Sequence, residues 1–292
     1  MNPMLASLAA LLLACPAAQD VPALIERLKD KESGEAAAAE LLRAGPEAAA
    51  ALREAAGRAD DAAFRKRAAA VADRLETRRA AAGLAEAWGD RWYSLFVNNL
   101  KCGWVRLKAE SRDGNLVFTD ELLLQPNKDQ SISIKIGLVC RPDEYLTPVR
   151  ITMEATGGDA PGQVEAKVKE DRLVVTRSGE VKAFKIRPNL VVDMALLRLV
   201  TILPRTDEYP VGLLELVKPR IQEAVTVKYE KEEAVEYLGQ KVTARRFVVS
   251  DGGAEDRVYW TGLAGTLYRV QAGAIEAVLS DEKKAKDLDT KD

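Results

Sequence analysis

From Asp90 onward, apolar and polar residues alternate along one stretch of the chain after another. This period of two places every second side chain on the same face of a β-strand and rules out an α-helix for these stretches. The pattern is clearest in residues 132–140, in which every second residue is of an apolar type that is usually buried: Ile132, Ile134, Ile136, Leu138 and Cys140. Turn-forming segments such as Asn98-Asn99 separate the stretches. The chain from residue 90 to 280 therefore predicts a domain built on a large antiparallel sheet.

One apolar segment inside this region breaks the alternation. Residues 192–203 read as a helix that ends before Pro204. A helix of this kind buries its apolar side by packing onto the sheet. Because strand spacing alone does not separate one curved sheet from two stacked sheets, a β-sandwich is the alternative architecture.

The region before the strands, residues 20–89, has a different composition. It is rich in alanine and poor in β-branched residues, which favours helix. Helices are predicted at residues 21–29, 35–44, 46–56 and 62–86. In the last of them Phe64, Ala68, Val71 and Leu75 recur at helical spacing and form one apolar stripe. The sequence therefore predicts a short module of antiparallel helices.

Residues 1–19 resemble an export signal. The apolar run from Leu5 to Ala14 is shorter than the ~20 residues that a membrane-spanning helix needs. Two processing routes fit: Leu12-Leu13-Ala14-Cys15 resembles a lipobox, which makes Cys15 a lipidation candidate, and the small residues after Cys15 fit ordinary cleavage. An uncleaved anchor is the third alternative. We expect an exported protein, periplasmic or associated with the cell envelope, that meets a membrane only through a lipid anchor.

Composition narrows the chemistry. The chain has 0 His, so Ser-His-Asp and Cys-His catalytic sites are excluded. The formal net charge is −2, which gives no electrostatic basis for binding nucleic acid. We expect no metal, no cofactor and no enzymatic activity. A pair of glycosidase carboxylates stays open, although acids such as Glu121 and Glu154 fit the solvated face of a half-buried sheet.

Two of the 3 cysteines, Cys102 and Cys140, lie in the sheet region. In an up-and-down meander, Cys102 begins one predicted strand and Cys140 ends the second strand after it, so the two lie at opposite ends of the sheet. The two ends of a ten-residue strand are roughly 33 Å apart, whereas a disulfide needs Cα atoms about 5–6 Å apart. We therefore predict two separate thiols packed as small apolar side chains.

Several segments carry a resemblance to known families. The segment from Trp92 to Trp104, with Asn98-Asn99 at its turn, resembles the start of exported domains of unknown function related to the periplasmic lipoprotein carriers. Residues 237–246 and 259–270 are similar to later hairpins of those domains. The resemblance implies an α+β fold in which a large curved antiparallel β-sheet, a half-barrel, encloses an inserted helix. In the carriers, this concavity holds acyl chains.

Residues 35–75 resemble a pair of HEAT-like helical repeats, and this resemblance implies contact with a protein partner. The domain organisation is thus a signal at 1–19, a HEAT-like module at 20–89, the half-barrel at 90–280 and a charged disordered tail at 281–292.

Two functions compete. In the first, the half-barrel binds a hydrophobic ligand such as a lipid or an acyl chain. Its cavity is expected to be lined by eight residues: Trp104, Ile132, Ile134, Ile136, Leu138, Leu197, Val200 and Trp260. For the two tryptophans, packing at the rim of the core is the alternative. In the second, the same residues form a solid core, and the helical module recruits an envelope protein as a scaffold.

Overall fold

The structure is a computed structural model that describes residues 20–127, 129–157, 162–206, 208–250, 257–262 and 265–288. The predicted signal at 1–19, with the lipidation candidate Cys15, and the last residues of the predicted tail lie outside the described residues. The chain divides into two compact units, the first ending at Glu76 and the second beginning at Thr77.

The first unit is helical, as predicted. Its helices are α1 (Val21–Lys29), α2 (Gly34–Ala44), α3 (Ala48–Arg58) and the first part of α4 (Ala62–Ala82). Leucine and phenylalanine side chains from all four helices form one core in which each is 0–1% exposed: Leu28, Leu41, Leu52, Phe64 and Leu75. Their HEAT-like character stays a prediction.

Arg67 closes the end of α1. Its guanidinium donates hydrogen bonds to the backbone carbonyls of Leu28, at 3.1 Å, and Lys29, at 2.6 Å. The last carbonyls of a helix have no partner within the helix, so an arginine from another helix both satisfies them and fixes the packing of α1 against α4.

The second unit contains the rest of α4, the short helix α5 (Leu84–Trp88) and all the strands. The strands are β1 (Asp90–Val97), β2 (Leu100–Arg112), β3 (Asn115–Asn127), β4 (Gln130–Cys140), β5 (Pro148–Thr156), β6 (Gln163–Lys169), β7 (Arg172–Arg177), β8 (Glu180–Lys185), β9 (Leu190–Val192), β10 (Tyr209–Glu215), β11 (Arg220–Tyr237), β12 (Gln240–Ser250), β13 (Arg257–Thr261), β14 (Leu267–Ala272) and β15 (Ile275–Ser280).

These strands form one open sheet of 15 strands in the order β8-β7-β6-β5-β4-β3-β2-β1-β15-β14-β13-β12-β11-β10-β9. Neighbours in sequence are antiparallel neighbours in the sheet from β1 to β8 and again from β10 to β15. The pairing of β1 with β15 joins the two series, and β9 pairs with β10 in parallel. The α+β half-barrel class is confirmed. The sandwich alternative is wrong, because a single hydrogen-bonded sheet connects all the described strands.

The sheet has one face that carries the core, called here the inner face, and one outer face. A helix, α6 (Asp193–Ile202), packs onto the inner face as predicted. Inner-face positions alternate with outer-face positions: Leu107, Phe118 and Leu138 point into the core, whereas Glu121 and Lys135 lie opposite each other on the outside.

The boundary between the units precedes the predicted one at residue 89. The reason is the burial of side chains that follow Glu76. Ala81, Leu84 and Trp88 are 0–2% exposed and belong to the core of the sheet. The indole Nε1 of Trp88 also donates a hydrogen bond to the carbonyl of Leu107 at 3.3 Å.

The predicted disordered tail needs correction for the residues that are described. Residues 282–286 form a helix, α7 (Glu282–Lys286), whose N-cap is Asp281. Ala285 is fully buried, and the ammonium group of Lys101 donates to the backbone carbonyls of Lys284 and Asp287. The segment is ordered because its carbonyls and one small side chain contact the sheet. Its many charged residues suggested disorder because they give no sign of these contacts.

Cys102 and Cys140 are free, buried thiols, as predicted. The strand register explains their separation: Gly103 pairs with Leu124, whereas Cys140 pairs with Leu116 at the other end of β3. Burial raises the pKa of Cys140 well above its ordinary value.

Candidate functional site

A cavity of about 160 Å³ lies between the inner face of β2–β5, the first residues of α6 and the turn that joins β10 to β11. Its lining is mainly apolar. The apolar residues are Val105, Leu122, Ile134, Ile136 and Met153 from the strands, with Met194, Leu216 and Val217 from the opposite side; two carboxyl groups, Asp120 and Asp193, complete it.

The register of the strands builds the wall of this cavity. Val105 pairs with Leu122, and Leu122 pairs with Ile134, so three apolar side chains form one row across β2, β3 and β4. In the adjacent row, Ile136 pairs with both Asp120 and Met153. All lie on the inner face because residues two apart on a strand share a face.

The six aliphatic residues of the predicted site fall into three groups. Ile134 and Ile136 line the cavity. Ile132 shares their strand and face but not the cavity. Leu138 and Val200 are 1% and 0% exposed and fill the core, and Leu197 packs against the core. The structure therefore brings together only part of the predicted lining.

The placement of Trp104 in the cavity is wrong. On β2 the inner-face positions are taken by Val105 and Leu107, so Trp104 points outward. Its ring lies 5.1 Å from that of Trp92, and the ammonium group of Lys286, on α7, lies 5.9 Å from it. Trp104 does not pack at the rim of the core either; it lies on the outer face, beneath α7.

The placement of Trp260 is wrong for the same reason. Its neighbour Tyr259 occupies the inner position, and Trp260 pairs across the sheet with Arg246 and Arg269 on the outer face. The guanidinium of Arg269 lies 4.7 Å from the indole centroid, and the indole N–H donates to Glu233. Trp260 is 6% exposed because these polar side chains cover it.

Asp120 faces the cavity and forms an ion pair with Arg198 of α6. The guanidinium donates to both carboxylate oxygens, one of them at 2.8 Å, and also to the carbonyl of Met194. Arg198 is 0% exposed and lies between two rings, 5.2 Å from Trp88 and 4.7 Å from Phe118. Burial raises the pKa of Asp120, and the guanidinium opposes that rise.

Asp193 is the second carboxyl group of the cavity and the first residue of α6. It accepts a hydrogen bond from the backbone N–H of Met194 at 2.8 Å. Burial raises its pKa to about 6, while that hydrogen bond and the charge of Arg257 act in the opposite direction. The cavity thus combines an apolar wall with a carboxyl group that changes charge just below neutral pH.

Asp120, Arg198 and Asp193 were not among the site residues predicted from the sequence. A usable signal was present: Asp120 occupies an inward position between Phe118 and Leu122, and Arg198 interrupts an apolar helix. A single charge in such a position indicates a buried partner, since an unpaired charge in a core is costly.

No helix in the described part of the chain is long and apolar enough to cross a membrane. Among the same residues, no group of three or more Cys, Asp or Glu side chains is arranged to hold a metal ion.

A comparison with models of known protein families finds no match, and neither does a comparison with curated protein sequences. The solved structures that are similar to this chain include two from bacteria. One is a β-barrel-like protein of a domain of unknown function, DUF1849, from Brucella abortus; it is 11% identical, covers 66% of this chain and 95% of its own, and has a TM-score of 0.45. The other is the hypothetical lipoprotein YmcC from Escherichia coli, 9% identical, with 66% and 85% coverage and a TM-score of 0.25.

Proposed function

We propose that this chain is a non-enzymatic protein of the cell envelope that binds a hydrophobic ligand on the inner face of its half-barrel. The observation that carries the proposal is the cavity at α6, where eight of the ten lining residues are apolar. Apolar cavities within well-packed cores are rare, and they bind apolar ligands because the ligand restores the lost packing contacts.

The size of the cavity limits the ligand. Its volume of about 160 Å³ is close to that of the ~150 Å³ engineered cavity that binds benzene, and below the ~300–1,000 Å³ of pockets for drug-sized molecules. Leu138, the next inner-face residue after Ile136 on β4, is 1% exposed, so the core is filled on that side of the cavity. The cavity therefore suits a small apolar group or the end of an acyl chain rather than a whole chain.

Binding of 1-octanol, measured by isothermal titration calorimetry, tests this function. Ile134→Trp adds bulk to the cavity wall, so we expect it to weaken binding by about tenfold or more. Ile132→Trp is the matched control, because Ile132 shares the strand and the face but does not line the cavity. Absence of binding to the native chain, or equal loss in both variants, contradicts the proposal.

A scaffold is the second candidate function. It is favoured by the solid packing of most of the inner face, with Leu138 and Val200 almost inaccessible, and by the separate core of the helical unit. Chemical crosslinking in the native envelope tests it with a chain that lacks residues 21–76. The deletion stops there because Leu84 and Trp88 belong to the core of the sheet. Loss of crosslinked partners supports the scaffold, and unchanged partners contradict it.

A further inference from the structure

A second depression, called here the basic cleft, lies between the β7–β8 hairpin and the turn that joins β10 to β11. It has a volume of about 300 Å³. Its floor includes Val175, which is 1% exposed. Four cationic side chains and one carboxylate surround it: Arg177, Lys182, Lys218, Arg220 and Glu180.

The charge of the cleft is only partly compensated. Arg220 forms an ion pair with Glu215 at 2.7 Å. Lys182 and Lys218 have no ion-pair partner in the described part of the chain, and both are exposed. An excess of positive charge around a concave site favours an anionic ligand.

The basic cleft and the apolar cavity share one turn of the backbone. Leu216 and Val217 line the cavity, and Lys218 and Arg220 line the cleft. Four residues of chain span at most about 14 Å, so the two sites lie within reach of one small ligand. Arg177 of the cleft donates a hydrogen bond to the carbonyl of Val217 at 2.6 Å. Val217, which lines the cavity, is 48% exposed, so this turn lies at the surface of the protein.

The charges of the two sites are opposite. The charged groups that line the cavity are the carboxyls of Asp120 and Asp193, and Asp120 is already paired with Arg198. An anion is therefore disfavoured inside the cavity and favoured in the cleft. Lysine and arginine are the residues that bind phosphate groups, arginine through two parallel hydrogen bonds.

We propose that the ligand is an anionic amphiphile whose phosphate-type group binds in the basic cleft while its apolar end enters the cavity. The apolar half of this inference rests on the function proposed above. The anionic half rests on the cleft itself.

Three probes separate the two halves: octyl phosphate, 1-octanol and inorganic phosphate, each titrated into the native chain by calorimetry. We expect octyl phosphate to bind at least about tenfold more tightly than 1-octanol, since the cleft adds charge-assisted hydrogen bonds. This advantage should shrink when the salt concentration is raised from about 20 mM to about 500 mM, because salt screens exposed charges. Inorganic phosphate should bind more weakly than octyl phosphate.

A matched pair of variants assigns the effect to the cleft. Lys182→Gln with Lys218→Gln should remove the advantage of octyl phosphate and leave the binding of 1-octanol unchanged. Lys169→Gln with Lys185→Gln changes the net charge equally at exposed positions on β6 and β8 that do not line the cleft, and should retain the advantage. If both double variants lose the tighter binding of octyl phosphate equally, the inference is overturned.

The remaining outcomes distinguish the two proposals. If 1-octanol binds and octyl phosphate binds no more tightly, the ligand-binding function stands and the anionic site is overturned. If 1-octanol does not bind, the function fails and the amphiphile inference fails with it. Inorganic phosphate that binds as tightly as octyl phosphate shows a free-phosphate site and overturns the link to the cavity. Binding to phosphatidylglycerol vesicles without binding to octyl phosphate shows a membrane-contact surface and also overturns it.

Discussion

Single charged residues decide how the inner face is organised. Asp120 and Arg198 are 78 positions apart in the chain, yet they form the buried ion pair that ties α6 to β3. Each interrupts an apolar pattern, so the sequence marks each as unusual. The sequence does not identify them as partners, because only the packing of the helix on the sheet brings them together.

Arg198→Met should destabilise the protein strongly. The variant leaves the carboxylate of Asp120 buried without a partner, which costs about 3–5 kcal/mol in the free energy of unfolding. Equilibrium unfolding in urea, followed by circular dichroism, measures the loss.

The double variant Asp120→Leu with Arg198→Met provides the control. It removes both charges, so it should be more stable than either single variant, because no uncompensated charge is left in the core. If the double variant loses as much free energy of unfolding as the two single variants together, the two residues do not act as a pair.

Asp193 should make stability depend on pH. Burial raises the pKa of its carboxyl from 3.8 to about 6, so between these values the folded state holds a proton that the unfolded state has released. Stability contributed by this group therefore falls as the pH rises from about 4 to about 6. In Asp193→Asn this fall should be absent. The free energy of unfolding of the variant minus that of the native protein should therefore be up to about 3 kcal/mol larger at pH 8 than at pH 4.

Urea unfolding of both proteins at several pH values checks this result. A difference between them that stays constant across the range would show that Asp193 ionises normally in the folded chain.

Whole elements were largely predictable, and two strands that were not predicted share a cause. The alternation in residues 132–140 predicted most of β4 (Gln130–Cys140). Strands β9 and β10 were not predicted from the sequence. Their residues, such as Leu190 and Leu213, are buried on consecutive positions, so the strands show no alternation to detect.

Arg245 holds the end of α6 in place. The helix stops before Pro204, and its last carbonyls need partners. The guanidinium of Arg245 donates to the carbonyls of Leu203 and Thr201, each at 3.0 Å, and to that of Gly262 at 3.1 Å. One side chain of the sheet thereby satisfies both the helix end and a neighbouring loop.

Arg245→Met should cost about 3 kcal/mol in the free energy of unfolding, because these buried carbonyls lose their donors. Arg172→Met, at an exposed position on β7, should change stability by less than about 0.5 kcal/mol. Thermal unfolding of the two variants compares them. Similar stabilities would mean that the carbonyls find other donors.

At the scale of the whole molecule, the sequence predicts export, which the described residues do not test. We expect the intact mass of the mature protein, isolated from the envelope, to lack the apolar run from Leu5 to Ala14. A chain that begins at an acylated Cys15 shows the lipoprotein route, and a later start shows ordinary cleavage. A mass that includes the whole run contradicts the prediction of a cleaved signal.

The sequence by itself determined the class of the molecule: an alanine-rich helical part, then a long antiparallel sheet with one helix inserted. These are consequences of local periodicity, which a chain carries residue by residue. It also placed Ile134 and Ile136 on the inner face. The tertiary structure decided what lies opposite them, namely α6 with Asp193 and the turn that separates the cavity from the basic cleft. It also turned Trp104 and Trp260 outward, because the choice of face depends on the register of the whole sheet and not on the size of one side chain.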